Sequence, residues 1–329
     1  MTYQAVPLPA GTGSAGGPEI VAGVHGWISS RPMADLVAAF GAELPGLGTA
    51  DLLAWLDEFS AEHWDFRRRE AERRAAPTGT GVERDQVVGV DFTPAVAALV
   101  RSAARALGLV GAAPVAHRSY DHVVVLGGRA PACLQRTAYA AQLIRGGLTA
   151  GTVAALGSFR VLGGHELAVL GEPAEFEVDA MEIGIRRAFG IERPARRRGS
   201  TGAVERTSWR VYRHAYGPGR PLEVLAAPAE TGGSRANTPD TYRFWARNVS
   251  LTTGDRVLVV TTPLYVPFQH CDALRILHGY GCAVQTVGFA ATAIGAAPVY
   301  ESPAPDRYLQ EIRSGIRSMR DLVRSLDAG

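Results

Sequence analysis

Apolar positions change their spacing along this chain, and the change divides it into regions. From about residue 33 to residue 108 they recur with a helical period. Between residues 50 and 75, Leu52, Trp55, Leu56, Phe59, Trp64 and Phe66 lie close to one helical face with charges between them. Thr49 suits the start of this helix, and Pro77, Gly79 and Gly81 stop it. A second helix follows Thr93-Pro94 and runs through AVAALVRSAARALG to Gly108. The pattern predicts a helical N-terminal subdomain over 19–118. Residues 1–18 are rich in Gly, Pro and Ser and read as a flexible N-terminus.

Beyond Asp121 the pattern becomes short, continuous apolar runs: HVVVL (122–126), TVAAL (152–156), LEVLAA (222–227), RVLVVTT (256–262) and AVQTVG (283–288). Continuous runs suit strands covered on both faces, as in a parallel sheet. Helical segments separate them, beginning PACLQRT, EFEVDAM, TPDTYRF and PFQHCDA. Strand alternating with helix predicts an α/β fold with a doubly wound, mostly parallel sheet over 119–300. Residues 191–221 read as an Arg-, Gly- and Pro-rich insertion with one possible strand, SWRVYRH, and 301–329 as a C-terminal helix.

Composition narrows the classes. A chain of 329 residues, 47% hydrophobic, can bury a full core. Its net charge of +2 lacks the basic excess of a nucleic-acid binder. Local arginine clusters, at Arg67–Arg69 with Arg73 and Arg74, and at Arg193 with Arg196–Arg198, read as a solvated helix face and an exposed loop. Cys133, Cys271 and Cys282 form no CxxC pair and no disulfide framework. The N-terminus has neither the basic start nor the apolar core of a signal peptide, and no apolar run reaches membrane-spanning length. The expectation is a soluble cytoplasmic protein with a small-molecule ligand, no nucleic-acid or membrane partner, and possible homodimerisation.

In open α/β sheets ligands lie beyond the carboxyl ends of the strands, where helix N-termini present amides. Three such junctions carry candidate chemistry. In VVVLGGRAPACLQR, Gly127 and Gly128 would let backbone approach a ligand, while Arg129 and Arg136 could fork onto phosphate or carboxylate. The third glycine of a dinucleotide fingerprint is absent, and a plain tight turn would use the same residues. In LAAPAETGGSRANTPD, a long polar loop offers Glu230, Ser234, Arg235 and Asn237, with Thr238 as the expected helix cap before Pro239. In VVTTPLYVPFQH, Thr261, Thr262, Tyr265 and Gln269 could orient a ligand or simply cap the strand end.

Together these junctions resemble the SanA/YdcF-like bacterial family. The Gly-Gly turn with a downstream arginine matches Gly127, Gly128 and Arg136. The small-residue strand end matches Leu156-Gly157-Ser158, and an acidic helix start matches Glu175 to Met181. The order Glu230, Ser234, Asn237, Thr238 completes the likeness, which covers about residues 120 to 290. The resemblance implies a Rossmann-like fold with a polar cleft, S-adenosylmethionine as a possible ligand, or a role in envelope integrity. Two features depart from the family: a His-Arg pair is absent after the fourth strand, and there is no membrane anchor.

The functional expectation is a protein that binds a nucleotide-like or anionic ligand, either S-adenosylmethionine or a phosphorylated metabolite. Glu230 is the catalytic candidate of a transferase- or hydrolase-type reaction. Arg129, Arg136 and Arg235 would hold the anion, and Ser158 would contribute from the second strand. The N-terminal subdomain would close over the cleft, bringing Trp55, Trp64 or His63 near it unless those residues only pack. A ligand-sensing or partner-binding module is the alternative. His270, Cys271, His278 and Cys282 match no zinc pattern, so no metal is expected. His165-Glu166 reads as an exposed loop in preference to a general-base pair.

Overall fold

The apolar runs become the strands of one seven-stranded sheet in a computed structural model. It describes residues 2–11, 16–73, 89–192, 196–200, 203–216, 220–230, 236–290 and 303–327. Among the described residues, five helices come first: α1 (Gly17–Ile28), α2 (Arg31–Ala39), α3 (Thr49–His63), α4 (Phe66–Arg73) and α5 (Pro94–Ala106). The α/β part follows as β1 (Ser119–Leu126), α6 (Ala130–Arg145), β2 (Thr149–Gly157), α7 (Gly164–Leu170) and α8 (Glu177–Phe189). Next come β3 (Arg196–Gly199), β4 (Arg210–Tyr216), β5 (Arg220–Ala226) and α9 (Thr238–Asn248). The chain ends with β6 (Arg256–Val260), α10 (Val266–Leu277), β7 (Ala283–Val287) and α11 (Pro305–Asp327).

The strand order is β3-β4-β5-β2-β1-β6-β7. From β5 to β7 every pairing is parallel, while β3 and β4 add on antiparallel. The chain therefore winds outward from β1 through β2 to β5, then returns to β1's other side with β6 and β7. This is the doubly wound order, and its reversal lies between β1 and β6.

Residues of β1 explain why the runs carry no polar alternation. Val123 and Val125 pack with α6 and α8, whereas Val124 and Leu126 face α9, α10 and α11. Both sheet faces are thus buried. The N-terminal helices extend the second layer. Arg313 of α11 donates to Asp57 Oδ1 (2.9 Å), Ser60 Oγ (3.0 Å) and Asp65 Oδ2 (3.1 Å), which ties α11 to α3. Trp27 of α1 donates to the Leu107 carbonyl at 3.2 Å.

Several expectations need correction. Residues 2–11 are anchored: His270 Nε2 meets the Pro9 carbonyl at 3.0 Å, the Val6 amide donates to Ala106, and the Val284 amide donates to Gly11. The expected helix over 50–75 breaks at Trp64-Asp65, where Trp64 turns into the core. Trp55 stacks on Phe59 at 5.2 Å, and Phe59 also contacts His63 and Trp64. These aromatic residues pack the helical region and α11, so they contribute to the core. Arg196–Arg198 form an edge strand where a loop was expected, because β3 pairs with β4. The three cysteines are buried and free.

Candidate functional site

The tight β1–α6 turn depends on glycine. A methyl group at Gly127 would lie 2.6 Å from the Leu156 carbonyl and would overlap the Glu177 carboxylate. Gly157 ends β2 against the backbone of Val178, so β2 and the first turn of α8 meet closely. These contacts bring β1, β2 and α8 together at the carboxyl edge of the sheet.

The expected anion seat there is already filled. Glu166, on α7 and almost fully buried, accepts the Ala130 amide at the N-terminus of α6 (2.8 Å). It also accepts the Gly163 amide (3.1 Å) and both terminal nitrogens of Arg160, each at 2.8 Å. Arg129 lies 3.8 Å from the same carboxylate. Burial opposes ionisation of Glu166, but these hydrogen bonds outweigh it and hold its pKa at about 2. A helix N-terminus with a nearby guanidinium is a good anion site, and the protein's own carboxylate occupies it.

Arg160 carries a second carboxylate. Its Nε donates to Glu177 Oε2 at 3.2 Å, and Ser158 Oγ donates to the same oxygen at 3.1 Å. Arg160 also donates to the Gly128 carbonyl at 3.0 Å and to the Val161 carbonyl at 3.4 Å. Burial pushes the Glu177 carboxyl above the ordinary range, with Arg160 and Ser158 pulling it partly back. One guanidinium thus joins two carboxylates whose protonation is driven in opposite directions. Sequence reasoning passed over Arg160, met Glu177 only within the acidic helix start Glu175 to Met181, and read Glu166 with His165 as an exposed loop in preference to a general-base pair. His165 is exposed while Glu166 points inward, so the two form no pair.

The expected site residues divide into groups. Gly127, Gly128, Arg129, Arg136, Ser158, Thr262 and Tyr265 do converge at the β1, β2 and β6 ends. Arg136, however, is buried, donating to the Leu126 carbonyl (2.9 Å), the Gly127 carbonyl and Thr262 Oγ1 (3.0 Å). It also lies 5.6 Å from the centroid of the Tyr265 ring. Thr261 donates to Gln269 within the core. Arg136, Thr261 and Gln269 therefore bind this strand end together. Glu230 pairs instead with Arg247 of α9. Asn237, and not Thr238, caps α9, accepting the Asp240 amide at 3.0 Å while Asp240 returns to the Asn237 amide at 3.1 Å. Ser234 and Arg235 lie outside the described residues.

An anionic ligand held by Arg129 at the Gly127-Gly128 turn would need the place beside the Ala130 amide. Glu166 already fills that seat, so the residues present do not fit an anionic group docked there. Among the described residues, no group of three or more His, Cys, Asp or Glu is placed to hold a metal ion. No described helix is long and apolar enough to cross a membrane.

Beside the ion network, at the ends of β2 and β5, lies a pocket of about 220 Å³. Phe159 and Phe176, the residues next to Ser158 and Glu177, form part of its wall.

Comparison with known proteins gives a relationship without a ligand. The model of the Rv3785 N-terminal domain matches residues 11–108, the stretch that contains α1 to α5. Uncharacterized protein Rv3785 of Mycobacterium tuberculosis and uncharacterized protein Mb3814 of Mycobacterium bovis are each 30% identical over 323 residues. Each match covers 93% of this chain and 90% of the relative. No solved structure matches. With helical region and sheet both inside the aligned span, the chain belongs to the Rv3785 family.

Proposed function

We propose that this protein binds a small organic molecule at the carboxyl edge of β1, β2 and β5, with Glu177 as the group that exchanges a proton with it. The observation that carries the reading is the shared guanidinium of Arg160. It holds Glu166 ionised and leaves the neighbouring Glu177 with a raised pKa. Two carboxylates whose environments separate their protonation is the arrangement expected of an acid–base pair of roles. Glu166 would fix Arg160, and Arg160 with Ser158 would orient Glu177. The reversal of strand order between β1 and β6 favours the same edge.

The reading departs from an anion-binding turn, since Glu166 sits at the N-terminus of α6. It keeps from the SanA/YdcF resemblance the Rossmann-like sheet and the polar strand ends. A sensing module without turnover is the competing reading, favoured by the number of polar groups at this edge that satisfy one another.

Native mass spectrometry of freshly purified protein, searched for a co-purified small molecule, supplies the ligand for the test. The proposal expects Glu177→Gln to keep that molecule bound and to abolish its conversion. Conversion at the wild-type rate by Glu177→Gln would overturn the acid–base role. A ligand held by the wild type without change would support the sensing reading.

A further inference from the structure

The pocket beside the ion network has a distinct chemical character. Its wall includes Phe159, Val161, Phe176, Val204, Ala227 and Ala229. Val161 is 66% exposed and Val204 40% exposed, so apolar surface stands open to water. Phe176, Ala227 and Ala229 of the same lining are buried, so the pocket is a recess between those side chains and the two exposed valines.

Side chains of the wall pack on one another. Phe159 and Phe176 meet edge to face, with ring centroids 5.4 Å apart and an interplanar angle of 82°. The Arg210 guanidinium lies 5.1 Å from the Phe159 ring centroid and 5.6 Å from that of Phe176. Arg210 is itself fixed by Asp179 Oδ1 at 2.8 Å, so a neutralised ion pair backs the aromatic wall. The 203–208 segment supplies the facing wall. The Ala229 amide donates to the Arg206 carbonyl at 2.8 Å, and the Glu205 amide donates to Ser208 Oγ at 2.8 Å.

Size and charge then narrow the occupant. An apolar cavity of about 150 Å³ is enough to hold benzene. A pocket of about 220 Å³ has room for a single or fused aromatic ring. Among the described lining residues, Glu205 and Arg206 carry one charge of each sign, so these residues call for no charged ligand. We infer that this pocket, one strand over from the ion network, binds an uncharged aromatic ring. On the functional reading above, which this inference deepens, the ring anchors the molecule presented to Glu177.

Indole and benzamide are the probes, titrated into the full chain by ligand-observed NMR, with benzoate and benzylamine as charged controls. Saturable binding of indole or benzamide is expected, with both controls weaker. Ala229→Phe, which fills the pocket, should weaken indole at least tenfold. Val161→Asp, at an exposed position where folding is not at risk, should weaken it severalfold. Glu177→Gln should leave indole binding unchanged, which separates this inference from the acid–base role. No saturable indole binding, or equal binding by both pocket variants with unchanged melting temperatures, would overturn it.

Discussion

Two neighbouring places at the carboxyl edge of this sheet differ in how they are filled. At the β1–α6 turn the amides and guanidinium groups face carboxylates and carbonyls of the chain itself, and the seat is closed. At the ends of β2 and β5, Phe159, Phe176 and small side chains line an open pocket with Val161 and Val204 exposed beside it. Converging polar groups therefore do not by themselves mark a vacant binding site. What matters is whether the chain already supplies their partners.

The sharpest way to break the comparison is to remove the shared cation. Arg160→Met leaves Glu166 and Glu177 without their common partner and should destabilise the fold by about 3–5 kcal/mol, read from urea denaturation. A loss below about 1 kcal/mol would mean that the network is loose and its seat open.

The two carboxylates should respond to pH with opposite sign. Glu166 has its folded pKa lowered from an ordinary 4.5 to about 2, so its contribution is present above 4.5 and is lost as the pH falls towards 2. Discounted for solvent screening, that contribution is on the order of 2 kcal/mol, and Glu166→Gln should flatten the acid limb of the stability profile. Glu177 has its folded pKa raised, so its ionisation opposes folding as the pH rises above 4.5. Glu177→Gln should match or exceed wild-type stability at neutral pH, and any gain should fade below 4.5. Urea midpoints across pH 2 to 8 check both.

Smaller effects are expected where the long polar loop enters α9. Asn237→Ala removes the helix cap and should cost about 1 kcal/mol, with Thr238→Ala costing less. Glu230→Ala breaks a surface pair with Arg247 and should change stability by less than about 0.5 kcal/mol. Thermal melts suffice for both. A large loss of ligand binding in Glu230→Ala would restore that residue to the site.

Local pattern determined much of the architecture. Doubly buried strands such as Val123–Leu126 have no polar alternation to confuse them with surface segments, and Thr93-Pro94 begins α5 as its chemistry predicts, with the Val96 amide donating to Thr93 Oγ1. The location of the polar edge also follows, because strand-to-helix turns with glycine carry their own signature. Tertiary structure decided which charges are available there. Glu166 reaches the Ala130 amide across 36 residues, and Arg160 joins α7 to α8, contacts that no local spacing encodes. Arg136 of α6 is similar: its charge suggests a ligand until the Leu126 and Gly127 carbonyls, where β1 ends, are seen to accept from it. Sequence names the groups that can bond. Whether a partner already stands opposite each one depends on long-range packing, since a hydrogen bond is set by distances of about 3 Å between residues far apart in the chain.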